Sequence, residues 1–260
     1  MSTTPDVHTP GWVTDGGMET DLIFHHGVEL PYFAAFPLVL TQRGRDCLAR
    51  YYDGYARIAQ AAGAGLLLES PTWRANPDWG ALLGYGPADL HAANLAAIAF
   101  LQELALRYRE NGSRVRICGM VGPRGDGYVP GRAMDPGAAA LYHLPQLEAF
   151  AAAGADTVTA YTLTGTDEAI GVALAARAVG LDVGISFTVD TTGHLPDGTS
   201  LEHAIRTLDA EAPPERLLLN CAHPRHVAAG ISGEAAGEPL PPELAARITG
   251  LRYNASRRSH

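Results

Sequence analysis

Short apolar runs alternate with longer amphipathic segments along the whole chain. The apolar runs predict buried strands, and apolar residues at helical spacing between them predict helices. The predicted strands are 12–13, 65–68, 115–121, 157–161, 183–189, 217–221 and 251–254. The predicted helices are 43–62, 88–109, 141–153, 167–179, 201–208 and 242–248. Such alternation is typical of βαβ units and therefore of a parallel sheet.

Glycine and polar residues follow the predicted strands, for example at 16–17, 69–71, 122–127, 162–165 and 221–226. Loops of this kind after every strand are typical of a (β/α)8 barrel. A doubly wound sheet would place a glycine-rich phosphate turn after its first strand, and no G-x-G-x-x-G opens a helix here. We therefore predict an α/β fold, a (β/α)8 TIM barrel in one domain over residues 1–260, with about seven of its strands present.

Composition narrows the class of protein further. The chain has 260 residues, of which 47% are hydrophobic and 18% charged, as in an ordinary globular domain. No apolar run approaches the roughly 20 residues of a membrane span, and the N-terminus lacks the pattern of a secretory signal. Three scattered cysteines do not make a disulfide framework. These features predict a cytoplasmic protein.

The charge pattern excludes several functions. A net charge of −9 argues against binding to nucleic acid or to an anionic membrane surface. All 19 basic residues are arginine. Schiff-base aldolases, pyridoxal enzymes and P-loop phosphate sites need a lysine amine, so the composition excludes these three classes.

Two segments carry candidate chemistry. Asp15-Gly16-Gly17 follows the first predicted strand, where glycines would let the backbone approach a ligand and Asp15 could hold an amine. The ordinary alternative is a tight turn with a capping aspartate. Asn220-Cys221 ends a buried strand, where a thiol would face the usual active-site edge of a barrel. The alternative there is a small buried hydrophobic side chain.

Taken in order, the motifs resemble those of the homocysteine S-methyltransferase family. The first stretch is similar to the family's D-G-x-M-x-T, and 122–128 is similar to G-P-x-G-x-Y. The later matches are Gly154-Ala155-Asp156, Ser186-Phe187-Thr188, Leu195-Pro196-Asp197-Gly198 and Asn220-Cys221. Each motif is weak alone, but the ordered set from residue 15 to about residue 225 is specific.

The resemblance implies a barrel enzyme that moves a methyl group onto the sulfur of homocysteine. The implied donors are S-methylmethionine, S-adenosylmethionine, betaine or a related onium compound. The implied cofactor is Zn²⁺, held by three cysteines and binding the substrate thiol, which it deprotonates. Cys221 matches the first of these ligands and is the implied catalytic residue.

The chain departs from the family at its C-terminal end. The other two zinc ligands belong to a G-G-C-C motif on the last strand, and this chain has no such pair. Either the chain is a shortened form of a longer protein, which we favour, or the family architecture is altered here. His223 and His226 offer imidazoles close to Cys221, but three ligands within six residues rarely surround one ion. Cys47 and Cys118 are interpreted as structural.

A second departure concerns the substrate. The family's fourth strand carries a glutamate that helps to hold the homocysteine amine, and Tyr161 stands at that position. Glu69 ends the second strand, so a carboxylate could have moved across the pocket. Our hypothesis is that Glu69 and Asp15 bind an ammonium group while Tyr161 hydrogen-bonds the substrate carboxylate or the donor. The alternative is that Glu69 pairs with an arginine such as Arg74.

Two rival functions stay open at this point. One is a metal-free lyase or hydrolase that uses Asp15 and Glu69 as acid and base. The other is a non-catalytic family member that binds a small amino acid or pairs with another subunit. A seven-stranded barrel would leave an exposed edge, so a homo-oligomer is also plausible.

Overall fold

A computed structural model describes residues 11–129, 131, 134–234 and 238–255. Within them, the chain forms one parallel sheet in which the strands follow their order in the sequence. The strands are β1 (Trp12–Val13), β2 (Gly65–Glu69), β3 (Val115–Val121), β4 (Thr157–Leu163), β5 (Val183–Phe187), β6 (Arg216–Asn220) and β7 (Ile248–Arg252). The seven strands make a curled half-barrel, which confirms the predicted α/β class and the incomplete TIM barrel.

Helices connect the strands as βαβ units require. They are α1 (Met18–Phe24), α2 (Gln42–Ala61), α3 (Pro77–Leu82), α4 (Pro87–Glu110), α5 (Pro136–Ala152), α6 (Thr166–Ala178), α7 (Leu201–Glu211), α8 (Pro224–Ser232) and α9 (Pro242–Ala245). Several begin at side-chain caps that accept an unpaired backbone N–H. Thr41 caps α2, Asp135 caps α5 and Ser200 caps α7.

The core lies between the sheet and the helices. The central strands β2, β4 and β5 are buried along their whole length, as expected for a parallel sheet that is covered on both faces. Large side chains such as Tyr52, Phe150 and Phe187 are fully buried there. A Cβ on Gly119 would clash with the ring of Phe150, so close packing explains that glycine.

The C-terminal elements differ from their predicted bounds. The helix expected over 242–248 stops at Ala245, and β7 occupies Ile248–Arg252 instead of 251–254. Residues of β7 alternate between half-buried and exposed, because the strand lies at the edge of the sheet, and its apolar pattern is correspondingly weak. The stretch 221–226 is also not all loop, since His223 caps α8.

Among the described residues, β1 pairs only with β2 and β7 pairs only with β6. Every strand runs in the same direction, so all seven carboxyl ends meet at one edge of the curled sheet. No helix in the described ranges is long and apolar enough to cross a membrane.

Candidate active site at the carboxyl ends of the strands

Three charged side chains from the first, second and seventh strands meet at the carboxyl edge. Arg252 ends β7, and its Nη1 donates to Oε2 of Glu69 at 3.0 Å. Its Nη2 donates to Oδ1 of Asp15 and to the backbone oxygen of Gly16. The curl of the sheet thus brings the end of β7 against the ends of β1 and β2. We call Asp15, Glu69, Arg252 and Tyr161 the charged cluster.

Tyr161 completes the cluster from β4. Its hydroxyl donates to Oε1 of Glu69 at 2.7 Å, and the guanidinium of Arg252 lies 4.8 Å from the centre of its ring. The hydroxyl of Tyr52 donates to the backbone oxygen of Glu69 at 2.5 Å. Both carboxylate oxygens of Glu69 are therefore engaged, one by a phenol and the other by a guanidinium.

Burial dominates the electrostatics of this cluster. Desolvation raises the pKa of Glu69 to about 8, although the charge of Arg252 acts in the opposite direction. Desolvation also raises the pKa of Asp15 against the same cation. Burial disfavours the charged form of Arg252, yet the two carboxylates raise its pKa well above the ordinary value. The guanidinium of Arg252 is thus enclosed by two carboxyl groups whose pKa values are both raised by burial.

Three polar atoms in and beside the cluster are buried without a hydrogen-bond partner. They are Oδ2 of Asp15, Nε of Arg252 and the hydroxyl of Tyr51. Buried polar atoms in folded proteins are nearly always paired with protein or with ordered water. The cluster therefore encloses one acceptor, one donor and one hydroxyl whose hydrogen-bonding capacity is unused.

Gly16 and Gly17 differ in the structural constraints on their positions. A Cβ on Gly16 would lie 2.5 Å from the hydroxyl of Tyr55, so packing excludes any larger residue there. The backbone oxygen of Gly16 also accepts from Arg252. Gly17 is the exposed residue that precedes α1, and a Cβ there would meet only Thr20 at 3.6 Å.

Asn220 holds the ends of three neighbouring strands. Its Oδ1 accepts from the backbone N–H of Thr162 at 2.9 Å and from the hydroxyl of Ser186 at 2.7 Å. Its Nδ2 donates to Oγ1 of Thr162 at 2.8 Å. Thr162 and Cys221 both have left-handed backbone angles, φ 62° and φ 53°. Such angles are strained for residues other than glycine, and strain of this kind is common at functional sites.

Cys221 lies beside this network and is partly exposed. Its Sγ is 3.9 Å from Oγ1 of Thr162. Burial, and then the neighbouring Cys221 thiol, raise the pKa of Tyr128, which places that phenol close to the sulfur. The cysteine thus faces a phenol and a hydroxyl.

Arg74 does not reach Glu69. Glu69 does pair with an arginine, as the alternative hypothesis expected, but that arginine is not Arg74. Its guanidinium lies between the rings of Trp73 and Trp79, 4.0 Å and 3.8 Å from their centres. Its Nη1 and Nη2 donate to the backbone oxygens of Gly125 and Asp126, both at 2.8 Å. Arg74 therefore fixes the loop that follows β3.

Sequence reasoning missed the arginine that does pair with Glu69. Arg252 lies in a short apolar stretch predicted as a strand of 251–254, and no motif marks it. The predicted bounds place Arg252 near the start of that strand, and only the observed bounds of β7 place it at the carboxyl end.

The donor set does not fit a zinc ion. In the ranges that the structure describes, no three histidine, cysteine, aspartate or glutamate side chains lie close enough to hold a metal. Cys47 is in α2 and Cys118 is buried in β3, 3.2 Å from Oγ1 of Thr159. Nδ1 of His223 already accepts from the N–H of Arg225 at 3.1 Å. Cys221 is therefore the one residue of the implied ligand set that lies at the site.

The structure brings the predicted site residues into two adjoining groups. Asp15, Gly16, Glu69 and Tyr161 surround Arg252, while Asn220 and Cys221 form the second group. The two groups are joined through β4, because Tyr161 belongs to the first and its neighbour Thr162 to the second. The structure therefore places these residues together at the carboxyl edge of the sheet.

Comparisons with known proteins agree with this fold. Three crystal structures of the homocysteine methyltransferase MmuM from Escherichia coli share the fold. The metallated form has a TM-score of 0.74 and 22% identity, over 97% of this chain and 94% of that chain. The oxidized form has a TM-score of 0.73 and 20% identity, over 96% and 92%. The apo form has a TM-score of 0.64 and 21% identity, again over 96% and 92%.

A search of curated protein sequences finds no significant match. The family profile described as homocysteine S-methyltransferase matches residues 12–248. That range runs from β1 into the first residue of β7 and includes six of the seven residues named above in the two groups, all except Arg252. The sequence resemblance is thus confirmed over most of the chain. The chain belongs to the homocysteine S-methyltransferase family of methyltransferase enzymes.

Proposed function

We propose that this protein transfers a methyl group from an onium donor to the thiol of homocysteine or of a related compound. The observation that carries the proposal is the family match over residues 12–248. It is supported by the position of Asp15, Glu69, Tyr161 and Cys221 at the carboxyl edge of the sheet, where barrel enzymes place their active sites.

The reaction is a displacement at carbon. The thiolate of the acceptor attacks the methyl carbon, a sulfur–carbon bond forms, and the donor leaves with the electron pair of its broken bond and without its positive charge. The thiol proton is released, and the thiolate is the reactive form. Asp15, Gly16, Gly17, Glu69 and Tyr161 are proposed to line the acceptor pocket. Asn220 is proposed to hold the strand ends, and Cys221 to face the acceptor sulfur.

The described residues do not support the zinc ion that the family resemblance implies. Family-type zinc sites use three protein ligands and leave the fourth position for substrate. Here Cys221 contacts Thr162 and lies beside Tyr128, and neither residue type is a common zinc ligand. The family resemblance also implies a role in methionine biosynthesis, and that role and the onium donor belong to this proposal.

The direct test measures thioether formation from homocysteine with S-methylmethionine, S-adenosylmethionine or betaine, together with zinc per chain. We expect Cys221→Ala to lower kcat/KM at least about tenfold, since the thiol lies at the proposed acceptor site. Cys47→Ala is the matched control, because Cys47 lies in α2 away from the strand ends, and it should stay within about twofold. No methyl transfer from any of the three donors would refute the proposal.

The zinc measurement separates two forms of the reaction. Near-stoichiometric zinc that Cys221→Ala abolishes would mean that further ligands come from His223, His226 or a second chain. Zinc that is absent from both proteins, with methyl transfer retained, would establish a metal-free reaction.

One observation favours a second function, acid–base catalysis by a metal-free lyase or hydrolase. Glu69 has a pKa raised to about 8 by burial, and Asp15 lies in the same cluster. A carboxyl group that stays protonated near neutral pH suits a general acid, and a second carboxyl group beside it suits a general base. A bell-shaped pH profile for such a reaction, unaffected by chelators, would support this function.

A further inference from the structure

The cation that neutralises Asp15 and Glu69 belongs to the protein itself. Arg252 donates to both carboxylates, in the position where the sequence-based hypothesis placed the ammonium of the acceptor. A guanidinium remains charged at every physiological pH, so it does not leave by losing its proton. An acceptor ammonium could use this pair of carboxylates only by displacing the guanidinium.

The cluster turns its cation, and not its carboxylates, toward an arriving ligand. The side chain of Arg252 is 15% exposed, whereas those of Asp15 and Glu69 are 2% and 0% exposed. The accessible charge of the charged cluster itself is therefore positive, although the protein as a whole carries a net charge of −9.

Arg252 also keeps unused hydrogen-bond donors. A guanidinium has five N–H groups. Three of them are directed to Glu69, Asp15 and the backbone oxygen of Gly16. Its Nε is enclosed by the protein and has no partner, so a ligand would have to bind through the remaining N–H of Nη1. Carboxylates are the natural partners of a guanidinium with free N–H groups, because the geometry matches and both groups are charged.

We propose that Arg252 determines the specificity of the acceptor site. It excludes an acceptor ammonium from Asp15 and Glu69 and binds an anionic group of the acceptor. This inference rests on the proposed methyl transfer and names its acceptor class as thiols that carry a carboxylate, with or without an α-amino group. A carboxylate bound to Arg252 would stand close to Tyr161, whose ring lies 4.8 Å from the guanidinium.

Three small thiols separate the contribution of the acceptor's carboxylate from that of its amine. Homocysteine carries both, 4-mercaptobutanoate lacks the amine, and 3-mercaptopropylamine lacks the carboxylate. We expect kcat/KM for 4-mercaptobutanoate within about fivefold of that for homocysteine, and a value for the amine at least about a hundredfold lower. These measurements use the wild-type protein, so they do not depend on the folding of a variant.

Binding of the methylated products gives a readout that does not need turnover. Calorimetry with methionine, 4-(methylthio)butanoate and 3-(methylthio)propylamine should give the same order of affinity. Arg252→Met should weaken binding of the acid at least about tenfold and so remove its advantage over the amine, because the cation that attracts the ligand carboxylate is gone. Arg247→Met is the matched control at the other end of β7, where Arg247 pairs with Asp209, and it should leave the order unchanged.

The outcomes of the two experiments are distinguishable. Tighter binding of the amine than of the acid by the wild-type protein would show that Arg252 moves aside, and would overturn the inference. Failure of all three products to bind would overturn it as well. Preferential binding of the acid without any methyl transfer would support the role of Arg252 and refute the proposed reaction.

Discussion

Replacing Arg252 by methionine should destabilise the protein in a way that depends strongly on pH. Methionine keeps much of the aliphatic volume but removes the guanidinium that pairs with Asp15 and Glu69. Both carboxyl groups are almost fully buried, so neither can turn to water for compensation. The folded variant must then either bury an unpaired carboxylate or take up a proton.

The structure sets the size of the effect. Glu69 has a pKa of about 8 and is already protonated at pH 7, so the loss falls mainly on Asp15. Protonating an aspartate of ordinary pKa 3.9 costs at most about 4 kcal/mol at pH 7 and about 1.5 kcal/mol at pH 5, at 1.36 kcal/mol per pH unit. The value at pH 7 agrees with the roughly 3–5 kcal/mol lost when one partner of a buried ion pair is removed.

The sign follows from proton binding. The folded variant holds a proton on Asp15 that the unfolded chain has lost above pH 4, so its stability falls as the pH rises. Urea unfolding of wild type and Arg252→Met at pH 5 and pH 7 measures both free energies of unfolding. The gap between the two proteins should be wider at pH 7 than at pH 5, by at most about 3 kcal/mol.

Two further variants make the measurement decisive. Adding Asp15→Asn to Arg252→Met removes the unpaired carboxylate and should recover at least about 2 kcal/mol at pH 7. Arg206→Met breaks an exposed pair with Glu202 and should cost no more than about 1 kcal/mol at either pH. A loss below about 1 kcal/mol for Arg252→Met, or a loss independent of pH, would refute a buried ion cluster at this edge.

Three other predictions concern the same edge of the sheet. Glu69→Gln should flatten the pH dependence of stability between about pH 4.5 and pH 8. In that range the folded wild type holds a proton on Glu69 that the unfolded chain has lost, so the stability of the wild type falls as the pH rises. Unfolding titrations at several pH values test this. Asn220→Ala leaves the buried groups of Thr162 unpaired and should lower the free energy of unfolding by about 2–3 kcal/mol in urea titrations. Gly122→Ala places a Cβ against the backbone oxygen and ring of Trp73, so it should destabilise by about 2 kcal/mol or more and change tryptophan fluorescence; wild-type stability would contradict the close approach.

Much of the fold follows from the pattern of apolar and polar residues along the sequence. Buried strands such as Val115–Val121 appear in the sequence as continuous apolar runs, and α2 and α4 show amphipathic or apolar helical spacing. The order of the motifs identifies the family, and the profile match over residues 12–248 confirms it. The elements that the pattern misses are short, such as α1 and α3, because a helix of one or two turns carries too few apolar positions to show a period.

The residues of the candidate site likewise divide into those that the sequence pattern identifies and those that only the structure reveals. Asp15, Glu69, Tyr161 and Cys221 are visible in the sequence because each stands at or near a predicted strand end. A local pattern identifies such positions, since the carboxyl ends of parallel strands share one edge of the sheet.

The partner of the two carboxylates is a property of the tertiary structure alone. Arg252 is separated from Asp15 by 237 residues, and β7 is an edge strand with a weak pattern. Only the curl of the sheet brings the two ends together, and only the burial of the cluster raises the pKa of Glu69. The sequence by itself therefore determined the fold class, the family and the carboxylates of the site. Tertiary structure decided which cation those carboxylates hold, because pairing and desolvation depend on distances that no local pattern encodes.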